Sequence, residues 1–240
     1  TVDHPATSAL SATSGTFTGN IIIPNSGNIG SVGDTDAVTI TSAGLVGLNN
    51  TSPSSALAVN ANLNDQWAGR FENTNSGGYG VLSRTTASTT SDIAFRVDKN
   101  GSETALNVDG AGHVTMPYQP CFSATAATTD IPLTTITTVT LSSERFDVGS
   151  NLASNTFTAP ITGKYLFTYM FYFDSVDADH TSLDVHIKTS NKQYQQTFSP
   201  DHFLNSDSLF SVSGSVLADM DASDTCFFSV RVAGGAAQTD

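Results

Sequence analysis

From Cys121 onward, apolar residues come in short runs separated by Asp, Asn, Gly and Pro. In Gly163 to Phe173, GKYLFTYMFYF, the rings of Tyr165, Phe167 and Tyr169 fall at every second position. A period of two places them on one face of a β-strand. The same pattern predicts strands over 120–126, 137–142, 155–159, 163–173, 182–189, 193–198, 208–218 and 225–232. Eight strands at that spacing imply an antiparallel sandwich or jelly roll.

The pattern before Pro117 is different. Apolar runs there are shorter and interrupted by Asn, Gly, Ser and Asp, and one of them repeats. AVTITSAGLVGL (37–48) aligns with ALNVDGAGHVTM (105–116), both reading A-φ-x-φ-x-x-A-G-x-V-x-φ with φ apolar, and AFRVDKNG (94–101) is a shorter echo. Each copy reads as a half-buried strand, a turn centred on Gly44, Gly112 or Gly101, and a return strand. A lone hairpin is marginally stable in water, and Trp67, Phe71, Tyr79 and Phe95 are most of the aromatic supply here. Several chains pooling their apolar faces around one axis would supply the missing core, so this region predicts an obligate oligomer.

Composition excludes several alternatives. The 240 residues contain 9 Lys+Arg against 22 Asp+Glu, a net charge of −13 that would repel phosphate backbones. Acid is 19 Asp and only 3 Glu, and with 4 Lys the mix that builds exposed helices is lacking. The charge divides into −5 on residues 1–116 (4 basic, 9 acidic) and −8 on 117–240 (5 basic, 13 acidic). The longest apolar stretch, Tyr165 to Phe173, is interrupted by Thr168 and far shorter than the roughly 20 residues of a membrane-crossing helix, so no membrane insertion is expected. Cys121 and Cys226 lack zinc-like spacing and read as two buried free thiols. A chain opening Thr-Val-Asp-His, without an initiator Met or signal peptide, reads as a portion of something longer.

The run GLVGLNNTSPSSALAV (44–59) resembles an element of bacteriophage tail fibres and tail spikes, in which Ile-Gly-Thr usually stands where this chain has Leu48-Asn49-Asn50. TFTGNIIIP (16–24) is similar in style. The likeness covers roughly 15–116 and implies a fibre shaft.

The later half resembles another family. Phe157-x5-Gly163-x-Tyr165-x-Phe167-x-Tyr169 is similar to the signature of the globular head of complement subcomponent 1q and its tumour-necrosis-factor-like relatives. Phe146 to Asn151 stands just upstream, one residue shorter in spacing than in animal members, while Ser213 to Leu217 and Asp224 with Cys226 to Val232 resemble a second pair of family strands. Phe122-Ser123-Ala124 fits the opening strand. The resemblance implies a jelly-roll head that associates in threes. The family's last strand would follow Gly234-Gly235, where this sequence reads AAQTD, so either it is clipped or another segment completes the sheet.

Catalysis has little support. His4, His113, His180, His186 and His202 sit in no HxH, HExxH or nucleophile-elbow context, and chance Ser/His/Asp combinations are expected in a chain that is about a quarter Ser and Thr. Paired carboxylates of a polysaccharide-degrading spike remain a minor alternative, since that activity is usually carried by a longer β-helix. Aspartate clusters are the stronger signal. Asp174, Asp177, Asp179 and His180 lie between two predicted strands; Asp201, His202, Asn205 and Asp207 lie two connections later. Loops two strands apart emerge at one end of an antiparallel sandwich, so the clusters should meet there, together with 233–240. Such oxygen ligands suit sugar hydroxyls, or calcium at Asp174, Asp177, Asp201 and Asp207. The plainer reading is that Asp makes good turns, which also serves for Asp219, Asp221 and Asp224 at the opposite end.

Together these features predict an all-β protein with a trimeric β-hairpin shaft (1–116) and a jelly-roll head (117–240). The resemblances imply an extracellular virion protein, a homotrimeric distal tail fibre. It would be joined to other tail proteins on its N-terminal side and bind a host surface polysaccharide or protein receptor, with no cofactor beyond the candidate calcium. The rival is a secreted bacterial adhesin with the same head.

Overall fold

In a computed structural model the described residues are 27–30, 33, 36–61, 67–77, 79–99, 103–126 and 130–237. The TFTGNIIIP segment, His4 and the turn at Gly101 lie outside them. The chain divides into two compact units, Thr1–Leu82 and Ser83–Asp240. Among the described residues the regular structure is β-strand plus one short 3-10 turn, Pro200–His202, and no helix is long and apolar enough to cross a membrane.

The first unit holds one four-stranded sheet in the order β1 (Gly27–Ile29), β2 (Val38–Ile40), β3 (Val46–Leu48) and β4 (Leu57–Val59). The β2–β3 hairpin turns through Gly44 at φ +77°, the left-handed region that glycine enters without steric cost. The next strand departs from a chain of hairpins: β4 pairs β3 in parallel, Val46 opposite Leu57. Asn49, at φ +51°, turns the chain out of β3, and its side chain donates to Asn60 O across the connection (3.0 Å).

The second unit begins with a three-stranded sheet, β5 (Ile93–Lys99), β6 (Glu103–Asp109) and β7 (Val114–Thr115). The β6–β7 turn passes Gly112 at φ +91°. Asp109 braces it by accepting from both His113 N and His113 Nδ1 at 2.9 Å. The two positive-φ glycines occupy equivalent places in the aligned copies.

The remaining strands are β8 (Cys121–Ala126), β9 (Thr137–Thr138), β10 (Leu141–Val148), β11 (Leu152–Ala153), β12 (Thr156–Thr158), β13 (Gly163–Val176), β14 (His180–Thr189), β15 (Gln193–Phe198), β16 (Ser208–Met220) and β17 (Thr225–Gly234). One layer runs β11-β12-β17-β14-β15, with β9 also on β17; the others are the pairs β13-β16 and β8-β10. Successive strands pass between layers, as in a jelly roll. The core lies between the layers, where Phe157, Phe167, Leu183, Val185, Ala218, Met220, Val230 and Val232 are each at most 4% exposed. Around Phe157 the rings of Phe122, Tyr165 and Phe167 pack with centroids 5.4–5.6 Å away.

The eight predicted strands all recur, with two revisions. The segment predicted as 137–142 is split into β9 and the start of β10, and β10 continues to Val148. Two register shifts in its pairing with β8 break the alternation that marks a strand in sequence. Of the cysteines, only Cys226 is buried, and burial pushes its thiol up to about 12; Cys121, first residue of an edge strand, is exposed.

Candidate functional site

The two Asp-rich segments do meet at one end of the sandwich. In the turn from β13 to β14, Asp177 forms an Asx-turn by accepting from Asp179 N at 2.8 Å, and Ala178 N donates to Asp207 Oδ1 across to the segment before β16 (3.2 Å). The end of β17 joins them. Gly234 and Gly235 turn at φ +75° and +59°, and Ala236 N donates to Asp177 Oδ2 at 2.6 Å. At Gly234 a Cβ would lie 2.7 Å from Thr181 N, so the close approach requires glycine. The Ala236 and Asp179 N–H groups hold the Asp177 carboxyl below the usual carboxylate range.

His180 does not face the solvent. It is 0% exposed, with Nε2 2.8 Å from Ala236 O, because the β17 tail closes over the turn. It therefore serves the corner and not a receptor. Asp174, Asp179, Asp201, His202, Asn205 and Asp207 are exposed, Asp201 and His202 in the 3-10 turn. The four carboxylates expected to bind calcium do not gather. Among the described residues no three His, Cys, Asp or Glu side chains form a metal-holding group. Both Asp177 oxygens already accept backbone N–H groups, so the donor set does not fit the six to eight oxygens that calcium takes.

At the opposite end, Asp224 ties its turn together by accepting from Ser190 Oγ, Asn191 Nδ2 and Asp221 N, at 2.5–2.8 Å. These bonds, that of Ser190 first, hold its carboxyl below the ordinary value. Asp219 pairs with Lys164.

Sequence reasoning missed a buried polar network on the β14-β15-β17 layer. Asp184, 4% exposed, accepts from Arg231 Nη1 at 2.9 Å, Thr197 Oγ1 at 2.7 Å and Gln195 Nε2 at 3.1 Å. Beside it His186 Nδ1 lies 3.3 Å from Ser229 Oγ, both at most 2% exposed, and burial holds the imidazole below its ordinary pKa. The available signal was that polar residues alternate at 184/186 and at 229/231, two positions on each of two paired strands. Closed from solvent, this group braces the layer and offers no reaction site.

The largest concavity is a groove of about 1250 Å³ with β8 on one side and β13 on the other. On the outer face of β13 and β16 stands an apolar stripe: Leu166 (66% exposed), Met170 (83%), Tyr172 (62%), Leu209 (57%) and Leu217 (65%), with Leu166 directly opposite Leu217.

No protein-family model matches the chain, and no curated protein does. Among solved structures, the globular domain of zebrafish complement 1qA protein is similar over 48% of this chain and 83% of that one, at 19% identity and a TM-score of 0.38.

Proposed function

We propose that the protein is a structural adhesion component, the distal part of a trimeric bacteriophage tail fibre, in which copies share an axis and present the Asp-rich end of each head to host surface glycans. The apolar stripe on β13 and β16 is the observation that carries this reading. Five large side chains at 57–83% exposure on one strand pair favour cover by another copy over lasting contact with water. Sugar contact falls to the exposed Asp179, Asp201, His202 and Asn205. Each contact would be weak, and three heads engaging repeated sugars would multiply the effect through effective concentration.

Light scattering on the full chain tests the assembly. A trimer of three 25.0 kDa chains, about 75 kDa, supports it and a stable monomer overturns it. Met170→Asp should shift the equilibrium toward monomer. A glycan array tests adhesion: binding lost in an Asp179→Ala, Asp201→Ala double variant but kept in Asp219→Asn supports the end-loop site, and binding equal in all three rejects it.

A further inference from the structure

The groove between β8 and β13 is bounded by two unused strand edges. Among the described residues β8 is hydrogen-bonded to β10 alone and β13 to β16 alone, so each presents a free row of N–H and C=O groups on its other side. Unpaired edges are the usual template for strand addition. The six residues of β8 give a facing edge of about 20 Å. The floor is also unfinished. Tyr165, Tyr169, Phe171 and Phe173 point to the core side of β13 yet stay only half-buried, as do Phe122 and Ala124 on β8.

We propose that this groove takes one added β-strand from another polypeptide: an extended, uncharged segment of at least six residues with large apolar side chains at alternate positions. Its backbone bonds both edges, and its inward side chains cover the half-buried rings. Charge selects the occupant. Lys164 and Asp174 are the only charged residues of the lining and stand near the two ends of its β13 side, so a charge entering between them would meet no counter-ion. Backbone geometry selects it too, because a helix satisfies its own N–H and C=O groups and leaves both edges unbonded. Gln238–Asp240, which follow the described chain, extend about 10 Å and carry no large apolar side chain, so they do not match the slot.

Hydrogen exchange on the full chain tests this without any substitution. The probe is acetyl-Thr-Val-Thr-Ile-Thr-Val-Thr-Ile-amide, compared with the same peptide N-methylated at alternate residues. The unmodified peptide should slow alternate amides of both 121–126 and 163–174 at least tenfold, and the methylated one should not. No slowing, slowing on one strand only, or equal slowing by both peptides overturns the proposal. Protection of both edges before peptide is added also overturns it. Such protection indicates a second copy if it disappears on dilution, and the chain's own residues if it does not.

Discussion

The β1–β4 sheet and the head solve the same problem, burying the apolar face of strands, with different resources. The head buries sixteen apolar residues between Ile131 and Val232 in a core of its own. The first unit has three-residue strands and leaves Ile29, Leu57 and Val59 at 47–57% exposure, with Trp67 and Phe71 at 85% and 78%. Strand length accounts for much of the difference. A strand of three residues turns one or two side chains to each face, whereas the fourteen of β13 turn seven. The head is therefore built to hold together as one chain, and the shaft-like sheet to be covered by others.

The largest test of that contrast is in the core. Leu183→Ala should cost about 3 kcal/mol in denaturant titration, whereas Trp67→Ala should stay within about 0.5 kcal/mol in protein diluted to the monomer. A loss of equal size at Trp67 would break the comparison. Next comes the buried network. Arg231→Met should cost about 2 kcal/mol, less than the 3–5 of a fully buried broken pair, because Thr197 and Gln195 still donate to Asp184.

A smaller effect concerns pH. The His186 pKa is depressed in the fold, so below its unfolded value of about 6.5 the unfolded chain binds a proton that the native chain refuses. The stability present above that pH should fall as the pH drops through it, and His186→Gln should flatten the melting-temperature profile between about pH 6.5 and 5. Hydrogen exchange should show the loss in β14 and β17 and leave β1–β4 unchanged. Smallest is the corner. Asp177→Asn should cost about 1 kcal/mol and speed exchange at Ala236 and Asp179, whose N–H groups its carboxylate accepts. Because those bonds lower the Asp177 pKa, the wild-type margin over the variant should vanish as pH falls below about 3.9.

Much of the strand pattern was legible in advance because alternation is local. Gly163 to Phe173 needs no partner to read as a strand, and Gly44 and Gly112 mark turns by a preference of the backbone itself. What escaped was non-local or masked by irregularity: β10 behind its two register shifts, and the network of Asp184 and His186, whose partners lie on strands over forty residues away. The Asp clusters were legible as turns and as neighbours. Whether their side chains were free was not, since Asp177 and His180 are engaged by Ala236, 59 and 56 residues later.

The sequence by itself determined the all-β character, the acidic surface, the turn glycines and the faces of the long strands, because each follows from residue type and a period of two. Tertiary structure alone decided that β3 and β4 run parallel, that His180 is sealed under the chain's end, and that β8 and β13 face each other with unused edges. Those outcomes depend on which distant segments meet, and the free energy of such pairings belongs to the assembled sheet and not to any one stretch of chain.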